Sequence, residues 1–577
     1  MSGQGIAQIL VYAVVLVALG YPLGVYMARV YGDRFLVSGP FGWLRGTERG
    51  FYRLVRTDAK KEQGWKSYGK TVLIFSVVVM GVLYGIQRLQ GHLFLNPDHM
   101  KAVPPHLALN TAASFITNTN WQYYGGEYTM SYLSQMAGLA VQNFVSAAVG
   151  MAVLAAVVRG IARRSAGTLG NFWVDLYRSL VYILLPLCLI LSALLIWQGV
   201  PQTFHAHATA TTLQGAQQSI ARGPAASQIA MKQLGTNGGG YYNSNSAVPF
   251  ENPTGLSNFL EMLALMLIPA AQVFMFGKMV FARRHAWMVF AAMFVVFAIG
   301  IGVNLPAEQH GSQVLRASGV NITQGNGQSG GNMADKEVRF GQAATTNWTV
   351  ATSDVSNGSV NSGFDAQTPA GGAVPLVNLF LGEVIFGGVG SGLYGMFFYI
   401  LIAVFIAGLM VGRTPEYLGK KVESYEIKMA MITALVLGAS ILGFTALASA
   451  LPEGLAGPLN AGPHGFSEIL YAYSSQTGNN GSAFAGLTVN TPFYNITGGL
   501  AMLVGRYGMM IPILALAGSM AGKRRVAASL GTFPTTGILF GVLVVGVIII
   551  VGALTFFPAL ALGPIVEQLL QNAGKVF

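Results

Sequence analysis

Ten long apolar runs, separated by polar connections, restrict the fold of this chain to a narrow class. Crossing the hydrocarbon core of a bilayer takes about 20 consecutive, mostly apolar residues in an α-helix. Charged residues make up only 9% of the chain, whereas soluble domains contain about 25%. We therefore predict an all-α polytopic membrane protein, with spans at about 6–30, 70–90, 133–158, 178–198, 258–282, 286–305, 382–411, 427–450, 496–521 and 535–560.

The positive charge of the chain is concentrated in alternate connections between these spans. Of the 33 Lys and Arg residues, 24 lie in five clusters within residues 29–70, 159–178, 278–284, 413–428 and 523–525. With ten spans, all five clusters fall on one side of the membrane, and connections rich in Lys and Arg stay in the cytoplasm. We therefore predict that both termini lie outside. The net charge of +12 then reflects topology and not a nucleic-acid interface.

The connections on the other side contain four related polar motifs. They read TNTNWQ, GTNG, VSNG and GNNG, and they end at Gln122, Gly238, Gly358 and Gly481. The intervals between these end points are 116, 120 and 123 residues. A nearly constant period of this kind indicates an internal repeat, so we infer that the four end points are equivalent positions.

A short, mildly apolar segment precedes each motif. The four segments are Pro105–Ile116, Pro224–Leu234, roughly Arg339–Trp348, and Gly465–Ser475. At 10 to 12 residues they are too short to cross a bilayer, which favours re-entrant helices. The repeating unit is then a span, a re-entrant pore helix, a filter loop and a second span. Four such pseudo-repeats around one pore, with one extra helix at each end, account for ten spans.

This interpretation divides the chain into six parts. Residues 1–69 are the first transmembrane helix and a cytoplasmic basic loop, and residues 522–577 are the last transmembrane helix and the C-terminus. The four pore repeats between them are 70–158, 159–282, 283–411 and 412–521.

Exposed backbone at membrane depth needs a physical reason. Irregular backbone is tolerated there only where it is buried in protein or lines a watery cavity. Four loops around one axis could turn their carbonyl oxygens inward and replace the water shell of a cation, and glycine permits the backbone angles that this requires. The motifs contain no Asp or Glu, which favours a monovalent ion, with K⁺ the natural candidate. The alternative is that each loop is a simple turn.

The strings FITNTNWQYYGGE, LGTNGGGYYNSNSAVPFENPT, SNGSVNSGFDAQTP and NNGSAFAGL closely resemble those of the KdpA family, the channel-like subunits of bacterial Kdp potassium-importing ATPases. The resemblance runs from the first helix to the last. It implies a potassium-transporter fold that binds and selects K⁺ from outside, without an organic cofactor. It also implies a P-type ATPase partner subunit that hydrolyses ATP, small accessory membrane subunits, and a location in the lipid bilayer of the bacterial inner membrane.

The same resemblance implies which residues form the K⁺ filter. They are Asn118, Thr119, Asn120 and Gln122, then Thr236, Asn237, Gly238 and Gly239, then Ser356, Asn357, Gly358 and Ser359, and finally Asn479, Asn480, Gly481 and Ser482.

Two further features lie within the apolar runs. The string GGVGSGLYG interrupts the second span of the third repeat and resembles the flexible segment that the family has below the filter. The resemblance makes its glycines candidates for a gate, or for a side path toward the ATPase subunit. These are Gly387, Gly388, Gly390 and Gly392. The alternative is close helix packing through small residues.

Arg506 lies within a span, where a charge usually faces a cavity or a partner. We expect an electrostatic barrier beneath the filter, or else a structural pair with a carboxylate or carbonyls. Glu127, Glu251 and Glu383 could concentrate cations or be ordinary capping or solvated residues.

Two other functions compete with the pump subunit. One is a self-sufficient, gradient-driven potassium channel or transporter of the same superfamily. The other is a membrane-embedded enzyme, which would need a cluster of intramembrane nucleophiles, bases or metal ligands. The sequence has no DKTG motif for a phosphorylated aspartate, so ATP hydrolysis is expected on a partner.

The string GWKSYGKT, residues 64–71, fits a phosphate-binding loop. It leads directly into a span, so we expect a basic juxtamembrane anchor instead.

Overall fold

The computed structural model describes residues 3–32, 44–325, 328–410, 412, 414–526 and 532–575. Within these ranges, ten helices are long and apolar enough to cross a membrane, which confirms the predicted class. We call them spanning helices 1 to 10. They are Gly3–Val30, Trp65–His92, Ser134–Ala162, Phe172–Gln198, Gly255–Met279, Arg283–Ala317, Ser391–Met410, Ser424–Ala450, Pro492–Gly522 and Ile538–Asn572.

The seventh span differs from the prediction of one helix over 382–411. A separate helix, Pro369–Phe380, ends before this run, and the spanning helix begins only at Ser391. Between them, Gly382, Gly387 and Gly390 have φ angles of 76°, 67° and 87°. These angles lie in the left-handed region that glycine enters without steric cost, so the chain cannot continue as an α-helix there.

Four of the helices that lie between spanning helices end at or directly before the predicted polar motifs. We call them pore helices 1 to 4, and they are Pro105–Ile116, Ala225–Leu234, Gly341–Asp354 and Gly462–Gly478. The first agrees with its prediction residue for residue, whereas the third ends six residues later than predicted. Its hydroxyl side chains bond to carbonyls four residues back, as Thr349 Oγ1 does to Thr345 O at 3.1 Å and Ser353 Oγ to Thr349 O at 2.8 Å. These bonds satisfy polar groups that would otherwise interrupt a buried helix.

The first and last spanning helices lie outside the four units. Spanning helix 1 packs against spanning helix 5, where the Tyr12 hydroxyl donates to Met262 O at 3.1 Å. A Cβ atom on Gly24 would collide with Ala271 O, so the two backbones are in direct contact. Spanning helix 10 packs on the third unit, where the rings of Phe380 and Phe556 stack with centroids 4.4 Å apart.

The remaining elements are short. The helices are Leu44–Leu54, Gly126–Thr129, the 3₁₀ turn Asn245–Ala247 and Pro452–Leu455. Strand Ala208–Thr211 pairs antiparallel with Gln217–Ile220, and Glu416–Tyr417 pairs with Lys420–Lys421. The GWKSYGKT string lies mostly inside the helix that begins at Trp65, so it forms no phosphate-binding loop.

The basic clusters gather at one end of the bundle, as the charge pattern predicts. Arg163 pairs with Glu62 at 2.5 Å, which joins the first two clusters. Lys420 donates to Gly160 O at 2.9 Å and Lys523 Nζ donates to Lys421 O at 2.8 Å, which joins the second, fourth and fifth. Arg34 and Arg413 lie outside the described residues. We call the opposite end of the bundle the outer end, after the predicted topology.

Candidate functional site

Each pore helix ends directly before an irregular loop in the middle of the bundle. We call these loop 1 (residues 118–122), loop 2 (236–240), loop 3 (356–360) and loop 4 (479–483). They contain all sixteen predicted filter residues. Most of these residues are buried, so the loops form an interior structure and are not surface turns.

All four loops share one unusual backbone conformation. In each, two residues with positive φ are separated by a single residue. The pairs are Asn118 and Asn120 (69° and 52°), Thr236 and Gly238 (49° and 76°), Ser356 and Gly358 (51° and 83°), and Asn479 and Gly481 (64° and 104°). When left-handed and right-handed backbone conformations alternate, successive peptide groups can present their polar atoms toward one side. The four loops are therefore structural equivalents.

This backbone pattern corrects the register inferred for loop 1. Asn120, and not Gln122, occupies the position of Gly238. Gln122 lies two residues further along, opposite Gly240. Its Nε2 donates to Gly240 O and its Oε1 accepts from Gly240 N, both at 2.9 Å. Gln122 thus clamps loop 1 to loop 2. The motif strings place Trp-Gln of loop 1 opposite Asn-Gly of loop 2, but Asn120 takes the position of the glycine because Asn also tolerates a left-handed backbone.

The glycines of loops 2, 3 and 4 each face a carbonyl of the next loop. An added Cβ atom would come closer than 3.0 Å to Asn357 O from Gly238, to Asn480 O from Gly358, and to Thr119 O from Gly481. The three carbonyls belong to the residue directly before the equivalent position in their own loops. The contacts therefore repeat around the ring, and glycine is required there for space as well as for φ.

Side-chain hydrogen bonds close the ring of loops. Each neighbouring pair of units is joined, so no loop is held by its own unit alone. The bonds are Asn118 Nδ2 to Thr236 O (2.9 Å), Asn357 Nδ2 to Lys232 O at the end of pore helix 2 (3.2 Å), Ser356 Oγ to Asn479 O (3.0 Å), and Asn479 Nδ2 to Thr119 Oγ1 (3.0 Å).

Aromatic side chains brace two of the loops from behind. In loop 3, Trp348 Nε1 donates to Ser359 O at 2.8 Å. In loop 4, the hydroxyls of Tyr471 and Ser482 lie 2.7 Å apart. Both aromatic residues stand ten positions before the glycine of their loop, and this shared spacing relates the two positions in the sequence.

A buried charge network, which was not predicted from the sequence, supports loop 2. Lys232, in pore helix 2, forms an ion pair with Glu251, and both side chains are 0% exposed. Lys232 Nζ also donates to Asn245 Oδ1 at 2.5 Å, and Asn245 Nδ2 donates to Gly238 O at 2.5 Å. The network therefore reaches a carbonyl of the ring. A lysine among apolar residues at membrane depth was the available signal.

The three acidic residues singled out from the sequence have different environments. Glu251 is neither solvated nor a cap, because it pairs with Lys232. Glu383 is buried beneath loops 3 and 4, where it accepts a hydrogen bond from Asn480 Nδ2. Glu127 accepts from the backbone of Asn243 at 3.0 Å, and burial raises the pKa of its carboxyl.

The glycine-rich segment lies directly below the ring. Val389 N donates to Thr236 Oγ1 at 2.9 Å, and a Cβ atom on Gly388 would lie 3.2 Å from the Cβ of Ser356. Gly390 approaches the backbone of Gly150 so closely that a Cβ atom would collide. The segment thus contacts loops 2 and 3 and also makes the tight packing that was the alternative reading.

Arg506 also lies below the ring of loops, and it is 4% exposed. Its Nη2 donates to Ser146 O at 3.3 Å, and its side chain shares a small cavity with Glu383 and Tyr394. Among the described residues it forms no ion pair within 4.0 Å. A carbonyl therefore satisfies part of this guanidinium, and its charge faces the space below loops 3 and 4.

Known proteins resemble this chain along its whole length. The family model described as "KdpA: Potassium-transporting ATPase A subunit" matches residues 10–569. The potassium-transporting ATPase potassium-binding subunit of Methylobacterium nodulans is 57% identical over 578 residues, covering 100% of this chain and 99% of that protein. The corresponding subunit of Sorangium cellulosum is 56% identical over 579 residues, covering 99% of each.

A solved structure shares the fold. The crystal structure of the potassium transporter TrkH from Vibrio parahaemolyticus matches with a TM-score of 0.51, covering 89% of this chain and 98% of that one. The sequence identity is 14%, so this likeness concerns the architecture alone.

Proposed function

The chain belongs to the family of potassium-transporting ATPase A subunits, and we propose that its four loops form one filter that selects K⁺ from outside and passes it into the membrane. The observation that supports this proposal most directly is the ring of backbone contacts, in which Gly238, Gly358 and Gly481 each face a carbonyl of the next loop. The repetition of this contact supports an assignment of all four predicted filter motifs to one site.

The chemistry of the loops suits a monovalent cation. Backbone carbonyls can replace the water shell of K⁺ when they surround it at a fixed width. Four pore helices end at the loops, and their negative C-terminal ends favour a cation there. The loops contain no carboxylate, so the site offers partial charges and not the full charges that a divalent ion prefers.

Below the filter, we assign the glycine-rich segment as a gate, through Gly387, Gly388, Gly390 and Gly392. Its contact with Thr236 couples its position to loop 2. Arg506 acts as a barrier, because an ion leaving loops 3 and 4 meets a buried positive charge. The boundaries of the four pore repeats, 70–158, 159–282, 283–411 and 412–521, follow from the same assignment.

The complex around the chain is also part of this proposal. ATP is hydrolysed by a separate P-type ATPase subunit, with small accessory subunits completing an importer in the bacterial inner membrane. Both termini lie outside, because the basic clusters mark the cytoplasmic end. K⁺ is the transported ion, with no organic cofactor and no nucleic-acid partner.

Calorimetric titration of the purified chain with K⁺ and, separately, with Na⁺ tests the filter. We expect saturable binding of K⁺ and not of Na⁺ in the wild type, and loss of K⁺ binding in Gly238→Ala, whose methyl group would collide with Asn357 O. Gly302→Ala is the matched control, because a Cβ atom there would contact no other part of the described chain within 4 Å. Equal K⁺ binding by both variants would refute the assignment of loop 2 to the filter.

A further inference from the structure

A second cluster of polar side chains lies at the outer end of the bundle, away from the four loops. His464 and Glu468 stand one turn apart at the start of pore helix 4. Asp365 comes from the connection after loop 3, and Glu567 from the C-terminal part of spanning helix 10. Three separate parts of the chain therefore meet at this point.

The spacing of these side chains fits a common metal ion. His464 Nε2 lies 3.1 Å from Asp365 Oδ1, and one ligand atom each of Asp365, His464 and Glu468 lies within 4.8 Å of the other two. Two ligands of a tetrahedral Zn²⁺, each bonded at about 2.0–2.2 Å, are separated by about 3.3 Å. The His464–Asp365 pair already has nearly this separation, and a small carboxylate rotation would complete the set.

Glu468 supplies an independent indication that a ligand belongs here. The residue is 0% exposed. Its Oε1 accepts from Asn460 Nδ2 at 2.6 Å, but its Oε2 has no hydrogen-bond partner among the described residues. A buried carboxylate oxygen without a partner is costly and needs an explanation. A cation bound between Glu468 and the Asp365–His464 pair would provide one.

The surroundings also match the outer shell of metal sites. His464 Nδ1 lies 2.9 Å from Glu567 Oε1, so this carboxylate can accept the Nδ1 proton and leave Nε2 free to bind a metal. Histidines that bind metals usually donate their other N–H in this way. At Gly486, an added Cβ atom would lie 2.8 Å from Asp365 Oδ2 and closer still to Glu468 Oε1, so bare backbone makes room for both carboxylates.

We propose that Asp365, His464 and Glu468 bind one divalent transition-metal ion such as Zn²⁺, with Glu567 orienting the histidine. A mixed imidazole and carboxylate donor set suits this class of ion. The side chains of His464 and Asp365 are 15% and 21% exposed, so an ion can enter from the outer solvent. Bound there, it links the connection after loop 3, pore helix 4 and the last helix. The competing arrangement is a doubly protonated His464 held between Asp365 and Glu567, without metal.

Metal analysis of the full chain, purified without a polyhistidine tag and equilibrated with Zn²⁺, tests the site. We expect one bound Zn²⁺ per chain in the wild type. The main variant is Glu468→Gln, which keeps the size of the side chain and the acceptor for Asn460. It should lose the ion while retaining K⁺ binding. Glu567→Gln should weaken Zn²⁺ binding by about 10- to 100-fold, as expected for an orienting partner.

His207→Gln is the matched control, because His207 also lies near a carboxylate, 3.5 Å from Asp98, in an outer connection. It should keep the ion, and X-ray absorption of the Zn²⁺-loaded wild type should give nitrogen and oxygen ligands at about 2.0–2.2 Å. Absence of Zn²⁺ from wild type that binds K⁺ normally would overturn the proposal. Retention of the ion by Glu468→Gln would overturn it equally.

Discussion

Loops 2 and 4 adopt the same alternating backbone, but different side chains hold them in place. Behind loop 2, a charged network runs from Glu251 through Lys232 and Asn245 to Gly238 O. Behind loop 4, pore helix 4 provides a neutral support, because Tyr471 contacts Ser482 through hydroxyl groups and stacks on Phe484 with ring centroids 4.3 Å apart. The carboxyl of Glu383 contacts Asn480 of this loop from below. The shape of the ring is therefore set by the loop residues themselves, and the support behind each loop can differ.

The difference has an energetic consequence. A buried ion pair is expensive to desolvate, and removing one partner leaves an uncompensated charge. Removing one hydroxyl from a neutral pair costs only a single hydrogen bond. Damage behind loop 2 should therefore be far more severe than damage behind loop 4, although both loops contribute to the same ring.

The largest effect is expected from Lys232→Met. The substitution leaves Glu251 buried without its cation, which should destabilise the chain by about 3–5 kcal/mol. Asn245 also loses a donor that fixes its contact with Gly238 O, so K⁺ affinity should fall as well. Thermal unfolding of the purified variant and K⁺ titration would measure the two effects.

Two further variants make this test specific. Lys101→Met changes an exposed lysine at the outer end and should alter neither quantity. The double variant Lys232→Met, Glu251→Gln removes both charges and should recover much of the lost stability, because no unpaired charge remains. A single variant as stable as wild type would show that the charged support of loop 2 is dispensable.

A smaller effect is expected where the ring itself is altered by one methyl group. In Gly358→Ala, a non-glycine residue must take a left-handed backbone, which costs about 1–2 kcal/mol, and its Cβ atom meets Asn480 O. K⁺ affinity should fall at least about tenfold, which corresponds to about 1.4 kcal/mol. Gly443→Ala should bind K⁺ like wild type, because the structure places no other described part of the chain within 4 Å of a Cβ atom at this position. Equal affinities would contradict the close contact between loops 3 and 4.

The sequence predicted the parts of this ring that depend on local pattern. Spans follow from apolar length, and pore helix 1 begins at a proline and ends before a polar motif, so its bounds Pro105–Ile116 were predicted correctly. The extent of pore helix 3 was not, because its Thr and Ser residues bond back into the helix. Composition alone makes such a segment look like a loop.

Tertiary contacts explain the other differences. The equivalence of Asn120 and Gly238 is a property of backbone angles, which the letters Asn-Trp-Gln do not display. The pairing of Lys232 with Glu251 joins residues 19 positions apart, across loop 2, and no helical or strand period relates them. The break before Ser391 depends on where several glycines turn, and an apolar run conceals it.

The smallest effect should come from the neutral support of loop 4. Tyr471→Phe removes the hydroxyl that contacts Ser482 and keeps the ring that stacks on Phe484. The loss of one hydrogen bond should cost about 0.5–1.5 kcal/mol, so K⁺ affinity should change by less than about tenfold.

The matched control is Tyr473→Phe in the same pore helix. The Tyr473 hydroxyl lies 2.8 Å from Thr497 Oγ1 of spanning helix 9. Both variants should lose similar stability, but only Tyr471→Phe should lower the preference for K⁺ over Na⁺. If the two variants discriminated K⁺ from Na⁺ equally well, the position of loop 4 in the ring would be set by its backbone contacts with loops 3 and 1 alone. The supports behind loops 2 and 4 would then differ in their effect on stability and not in their effect on ion selection.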